Sequence, residues 1–268
     1  MPRIQRYVSK ELSHFVARGK PAAVQFEILV RILRSGWLTH PPHNPNISGS
    51  LTVNPEAKLS TNEMYSPQMV CFCDIPVEDL HIHTAKYSSF GLSFSKGFIA
   101  ARGGAPVFYV PRGARIRQFW NLPSKQALHG LQAEAPMTLR GVSSEEEITL
   151  GDLFDRMLPE FHSMVELFYQ MIKTIKKLKR SATLPDEFWR LLDLHRFLEF
   201  RVFSYVKFFD ESLEDDGPKN FYMEREWRVV GNVRFDLSDV RRVIIPSSYA
   251  MHLRSEVPDF YGQVTFAD

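Results

Sequence analysis

The sequence predicts an α+β fold in which short strands build a mixed β-sheet and two long helices are inserted between them. Three observations lead there. Short apolar or alternating runs recur at residues 69–75, 91–96, 106–110 and 240–246, each with the period or length of a strand. A helical stripe of Phe26, Leu29, Val30 and Leu33 precedes them. Residues 148–210 differ in kind, carrying a helical period for most of their length. The chain therefore reads as one domain, 1–268, with 148–210 a helical-hairpin insertion within it.

In chain order, residues 11–15 are the first expected strand, with His14 near its middle. Residues 20–35 form the amphipathic helix, and Gly36 stands where a helix end places a left-handed glycine. Trp37 and Leu38 resume an extended path. Residues 41–67, rich in Pro, Asn and Ser, read as one long loop, a length associated with lids, binding loops or disorder. Residues 69–75 suit a buried strand ended by Pro76, and 76–83 a short helix. Alternation over 91–96 gives a strand, 96–102 a short helix, and 106–110 a strand closed by Pro111. In the insertion, Phe161, Val165, Phe168, Ile172 and Ile175 mark a helix over 153–179. The Lys173, Lys176, Lys177, Lys179 and Arg180 run at its end complements the helix dipole. Such a run can touch nucleic acid or simply face water. Pro185-Asp186 opens a second helix through Trp189, Leu192, Phe197, Val202 and Val206, and the two helices together offer a partner surface. An acidic loop, 210–219, leads to residues 221–230. Residues 233–237 are expected to pair with Val229-Val230 across Gly231-Asn232. A strand over 240–246, a short helix over 247–256 and a strand over 263–266 complete the chain. The expected core is Phe26, Leu29, Leu33, Val70, Phe72, Leu92, Phe94, Val107, Tyr109, Trp227, Val229 and Ile244.

Composition narrows the function classes. A net charge of +2 in 268 residues is near balance, so the overall field argues neither for nor against nucleic acid. Cys71 and Cys73 lie two apart in one strand, a poor disulfide geometry, and read as small buried thiols in a reducing cytoplasm. The N-terminus lacks the apolar segment of a signal peptide, and no apolar run approaches a membrane span, so the expected location is cytoplasmic.

The stretch Tyr222-Met223-Glu224-Arg225-Glu226-Trp227-Arg228 carries the densest chemistry. At period 2 it places Tyr222, Glu224, Glu226 and Arg228 on one face. Two like charges at neighbouring same-side positions repel and need cationic or hydrogen-bonding partners. One reading is a surface strand with a Glu-Arg ladder; the other is a catalytic or ligand-holding Glu-x-Glu. Trp227 then anchors the strand, and Arg228 neutralises the paired carboxylates. Further polar candidates are Ser13, His14, Tyr87, Ser93, Ser95, Asp74, His81 and His83. His81-x-His83 has the look of a metal half-site but no carboxylate at fixed spacing, so no metal is expected. The chain has no Gly-x-Ser-x-Gly, no phosphate-cradling glycine loop and no Gly-x-Gly-x-x-Gly, which removes common hydrolase, kinase and dinucleotide-fold classes.

Two resemblances follow. Ser13-His14-Phe15, then Tyr87 with Phe90-Gly91-Leu92-Ser93-Phe94, then Glu224-Arg225-Glu226 resemble in order and type the residues with which mono-ADP-ribosyltransferases hold NAD on a split sheet. That resemblance implies a His bonded to ribose, an aromatic stacked on nicotinamide, and a Glu stabilising an oxocarbenium-like transition state. It makes Glu226 and Glu224 the catalytic candidates and Ser13, His14, Tyr87, Ser93 and Arg228 the cofactor-binding ones, with nucleic acid or protein as the modified substrate. The longer resemblance is to the AbiGi family of abortive-infection proteins, antitoxins in bacterial phage resistance. It rests on His14-Phe15, the block from Met69-Val70-Cys71-Phe72-Cys73-Asp74-Ile75-Pro76 to Gly104-Ala105-Pro106-Val107-Phe108-Tyr109, and Glu224-Arg225-Glu226-Trp227-Arg228. It implies a regulatory, antitoxin-like role beside a toxin-like protein partner encoded alongside.

Overall fold

The computed structural model of the chain describes residues 9–76, 79, 84, 86–116, 148–178, 186–214, 220 and 222–268. It opens with β1 (Glu11–Phe15) and α1 (Ala22–Ser35). α1 buries the expected stripe of Phe26, Leu29, Val30 and Leu33. It ends at Gly36, whose left-handed φ of 69° lets its N–H reach the Ile32 carbonyl. A Cβ there would stand 2.6 Å from the Phe235 carbonyl oxygen, so space and dihedral both require glycine. β2 (Trp37–Leu38) follows. The stretch expected as one loop instead holds an antiparallel hairpin, β3 (Leu51–Val53) and β4 (Tyr65–Pro67), with a 3-10 turn at Leu59–Thr61 between them. Strands of three residues offer too few alternating positions to register against Pro- and Asn-rich flanks.

Next come β5 (Met69–Cys73), β6 (Gly91–Ser95) and α2 (Lys96–Ala101), the last capped by Ser95 Oγ accepting from the Phe98 N–H. The helix expected over 76–83 falls largely outside the described residues. The strand expected over 106–110 divides into β7 (Ala105–Pro106) and β8 (Phe108–Pro111), which belong to different sheets. β9 (Arg115–Ile116) and β10 (Ile148–Thr149) pair antiparallel. The long helix is α3 (Leu150–Leu178).

α4 (Asp186–Phe197) stops well before Val206. The backbone widens into a π turn at Leu198–Val202, tightens at Phe203–Tyr205 and becomes β11 (Val206–Phe209), parallel to β8. The β-branched Val202 and Val206 continue a helical stripe but fit a strand equally well, and pairing with β8 decides. β12 (Glu226–Val230), β13 (Val233–Arg234), β14 (Val240–Ile245), α5 (Ala250–Glu256) and β15 (Gln263–Phe266) complete the chain. β13 pairs with β2 rather than β12. The turn between them is drawn away because Asn232 donates to the Asn44 and Ile47 carbonyls and accepts from the His40 N–H.

Seven strands form the main sheet in the order β15-β14-β6-β1-β5-β12-β7. Its strand pairs are antiparallel except β14 with β15, which makes the sheet mixed. One face, carrying Leu12, Val70, Phe72, Leu92, Phe94, Val229 and Val243, packs on Phe26, Leu29 and Leu33 of α1 and Leu253 of α5. Of the expected core, Tyr109 and Trp227 are half-buried and the rest are buried. A second cluster of Leu59, Met64, Tyr65, Leu158 and Phe208 joins α3 to the β3–β4 hairpin and β11. Among the described residues, no helix is long and apolar enough to cross a membrane.

Candidate functional site

The main sheet parts along the β1–β5 seam. β1 and β5 share a register pair at Ser13 and Cys73 alone, against five pairs between β1 and β6 and five between β5 and β12. His14 is the wedge. Its Nδ1 lies 2.8 Å from the Cys71 carbonyl, taking an acceptor that a closed ladder would give to backbone. A carbonyl only accepts, so Nδ1 carries the hydrogen and Nε2 is left as the acceptor. Burial holds the His14 imidazole below its ordinary titration range, although the bond to Cys71 works the other way. On the far side of β1, Gly91 permits close approach: a Cβ there would stand 2.8 Å from the His14 carbonyl oxygen.

A cavity of about 330 Å³ opens at this seam, lined by Ser13, His14, Phe15, Arg18, Cys71, Phe72, Cys73, Tyr87, Lys207, Glu224 and Glu226. A larger one, about 630 Å³, shares His14, Phe15 and Cys71 and extends toward α1 and β2. Tyr87 enters the first cavity stacked on Phe15 with the Arg18 guanidinium 5.0 Å from its ring centroid. The two cysteines are free; burial pushes both thiols up, so neither is a ready nucleophile.

The paired carboxylates reach the cavity by a route that alternation does not describe. Tyr222–Glu224 is a 3-10 turn, Arg225 has φ of 43°, and the strand begins only at Glu226. The expected four-residue face is thus broken between Glu224 and Glu226, and the turn brings both carboxylates to the same cavity. Glu226 is 7% exposed and pairs with Arg228 Nε at 2.7 Å and Lys207 Nζ at 2.7 Å. Burial works against its ionisation, but the two cations outweigh burial and hold the carboxyl at about 2. Glu224 accepts from Lys86 at 3.0 Å, from Lys207 at 3.2 Å, and from the Tyr87 hydroxyl. Arg228, expected to neutralise both carboxylates, reaches Glu226 alone and gives its other end to the Ser204 carbonyl at 2.5 Å. Lys207 is the cation that bridges the two.

Among the candidates read from the sequence, Ser13, His14, Tyr87, Glu224 and Glu226 therefore line one cavity. Arg228 stands behind Glu226 and does not line it. Ser93 is drawn elsewhere, donating to Glu11 at 2.6 Å in a pair that Arg242 also joins. His81 and His83 lie outside the described residues. Sequence reasoning missed Lys207, Lys86 and Arg18. Lys207 was legible as the polar position between Val206 and Phe208, had 206–209 been read as a strand.

A second surface stands apart from the cavity. α3 exposes Met157, Met164, Leu167 and Met171, and α4 exposes Leu191, Leu194 and Phe197. The α3 residues fall on one stripe at spacings of seven, three and four.

A family model described as "Putative abortive phage resistance protein AbiGi, antitoxin" matches residues 55–252, which takes in Tyr87, both carboxylates, Lys207, α3 and α4 but begins after His14. No curated protein and no solved structure matches the chain.

Proposed function

This chain belongs to the AbiGi family, whose role is that of an antitoxin in abortive phage resistance, and we propose that it fills that role as the regulatory partner of a toxin-like protein encoded alongside it, held on the α3–α4 face. The observation carrying this reading is the stripe on α3, where Met164 and Leu167 are 65% and 70% exposed. Single exposed apolar residues are ordinary, but several on one helical stripe make a face that association would cover. Methionines suit it because their flexible, polarizable chains adapt to a partner's contours. The test is co-expression with the neighbouring gene product and affinity capture. Met164→Lys with Leu167→Lys is expected to abolish co-purification and phage protection with the helical content unchanged. Capture undiminished by the double lysine variant overturns the reading.

A second reading is favoured by the convergence of His14, Tyr87 and Glu226 on one cavity: NAD-dependent mono-ADP-ribosyl transfer to protein or nucleic acid. In it, neutral His14 accepts from a ribose hydroxyl through Nε2, and the Tyr87 ring is the platform for nicotinamide. Glu226, held ionised, faces the positive charge that develops on the ribose as the glycosidic bond breaks and nicotinamide departs. Arg18, which lines the cavity, suits the pyrophosphate. Labelled NAD incubated with the purified protein, cell extract and DNA is expected to leave label on an acceptor in a Glu226-dependent manner. Absence of transfer together with absence of NAD binding by calorimetry removes this reading.

A further inference from the structure

Away from the cavity, three metal-ligating side chains converge where α3, α4 and the π turn meet. α3 supplies His162, α4 supplies His195, and Glu199 follows one turn later within Leu198–Val202. Their ligand atoms all lie within 4.8 Å of one another. Glu199 Oε1 is 3.0 Å from His195 Nε2 and 4.0 Å from His162 Nδ1, with the three side chains 11–12% exposed. The surroundings are aromatic: Phe161 and Tyr169 rings flank His195, and Phe203 stacks on Tyr65.

Two further observations point to a missing ligand. Both ring nitrogens of His195 are buried without a hydrogen bond, and the close Nε2–carboxylate approach lacks the alignment of one. Buried polar atoms are nearly always satisfied, so an imidazole with neither nitrogen in a hydrogen bond, and with only the Glu199 carboxylate beside it, asks for a further partner. His162, by contrast, has its Nε2 bonded to the Tyr65 hydroxyl, which leaves Nδ1 turned toward Glu199. That is the arrangement by which an outer partner orients a metal-binding imidazole. The π turn adds its extra residue at this place, and such turns concentrate at functional positions.

We infer that His162 Nδ1, His195 Nε2 and a Glu199 carboxylate oxygen form a binding site for one divalent transition-metal ion of the zinc class, with Tyr65 fixing His162 from behind. Two imidazoles and one carboxylate suit zinc or cobalt and not the all-oxygen shells of calcium or magnesium. Metal–ligand bonds of about 2.0–2.1 Å bring tetrahedral donors to roughly 3.3 Å apart. The observed 3.0 and 4.0 Å separations bracket that value, so side-chain rotations of an ångström or so close the site. The bound ion ties α4 and its π turn to α3, and through Tyr65 to β4. Three protein ligands leave the fourth position to water.

The test uses the full chain, stripped with chelator and dialysed, then titrated with Co²⁺ and with Zn²⁺ against a chromophoric chelator. One equivalent per chain is expected, with the visible absorption of tetrahedral cobalt displaced by zinc, and with a melting temperature that rises with zinc concentration. His195→Ala and Glu199→Gln are expected to remove the cobalt spectrum, Tyr65→Phe to weaken zinc about 10–100-fold, and His252→Ala to change nothing. His162→Ala serves in place of any variant whose circular dichroism shows it unfolded. Absence of stoichiometric binding by the wild-type chain, or a wild-type cobalt spectrum in a folded His195→Ala or His162→Ala chain, overturns the assignment.

Discussion

At the seam of the sheet, Glu226 is met by two cations at 2.7 Å each and Glu224 by two lysines and a tyrosine, while between α3 and α4 His195 has neither ring nitrogen in a hydrogen bond. Both clusters are shielded from water, yet one is complete and the other is not. The difference lies in how each is assembled. The first draws on three segments distant in sequence, so that Lys86 and Lys207 reach the carboxylates from other parts of the chain while Arg228 pairs with Glu226 along its own strand. The second joins one residue of α3 to two that stand four apart on α4 and its π turn, and neither ring nitrogen of His195 is in a hydrogen bond there. A complete buried network behaves as one structural unit, costly to break and mute to small changes in solvent. An incomplete one is tuned by whatever enters it.

Breaking the complete cluster has the largest expected effect. Arg228→Ala leaves Glu226 with Lys207 as its cation and strips the Ser204 carbonyl of its donor. Removing one partner of a buried pair costs about 3–5 kcal/mol, read as a shift in urea midpoint with an unchanged slope. A loss below 1 kcal/mol would show that water reaches Glu226 freely and that the network is not a unit.

Acid should open the same cluster next. Its two cations hold the Glu226 carboxyl at about 2 in the folded chain, against an ordinary 4.5. The unfolded chain therefore binds the proton first as pH falls. The stabilisation is complete above pH 4.5 and is lost through the window down to about 2. It amounts to about 3 kcal/mol. Urea titrations across that window measure it, and Glu226→Gln is expected to flatten this limb of the profile.

His14 holds the seam with less at stake. His14→Ala removes the donor to the Cys71 carbonyl and leaves a buried acceptor, a cost of about 1–3 kcal/mol. Its pH signature has the same sign as that of Glu226 but starts higher. The folded ring titrates below 6.5, so the unfolded chain takes the proton first, and the His14 contribution is full above pH 6.5 and declines as pH falls through the folded value. Stability of the wild-type and His14→Ala chains should converge as pH drops below that point.

What could be read from the sequence follows the same division between local and distant. α1 and β5 were legible because burial of one face imposes a period on each, and β6 and β14 because they are short runs that are buried for most of their length. The β3–β4 hairpin, the division of 106–110 and the end of α4 were not, since each depends on a partner strand far along the chain: Val206–Phe209 becomes a strand only beside Phe108–Pro111. His14, Tyr87, Glu224 and Glu226 stood out as residue types, and the structure gathers them at one cavity. Lys207 did not stand out, because its segment carried a helical stripe. The turn that moves Glu224 off the strand was equally hidden, as nothing local marks Arg225 for a φ of 43°. The His162–His195–Glu199 cluster escaped for a different reason. His195 and Glu199 are four apart on helical backbone, a common spacing, and only the packing of α3 against α4 adds His162.

The smallest effect is the most discriminating. His195→Phe in chelator-treated protein deletes two buried nitrogens that are in no hydrogen bond and replaces them with a ring of similar shape among Phe161 and Tyr169. Where a polar group is already unsatisfied, its apolar replacement loses no hydrogen bond and removes a desolvation cost, so the change should be within about 1 kcal/mol of neutral and can stabilise. Added zinc should raise the melting temperature of the wild-type chain and leave the variant where it was. If His195→Phe instead costs several kcal/mol without metal, His195 is paired in solution, and the contrast between the two clusters disappears.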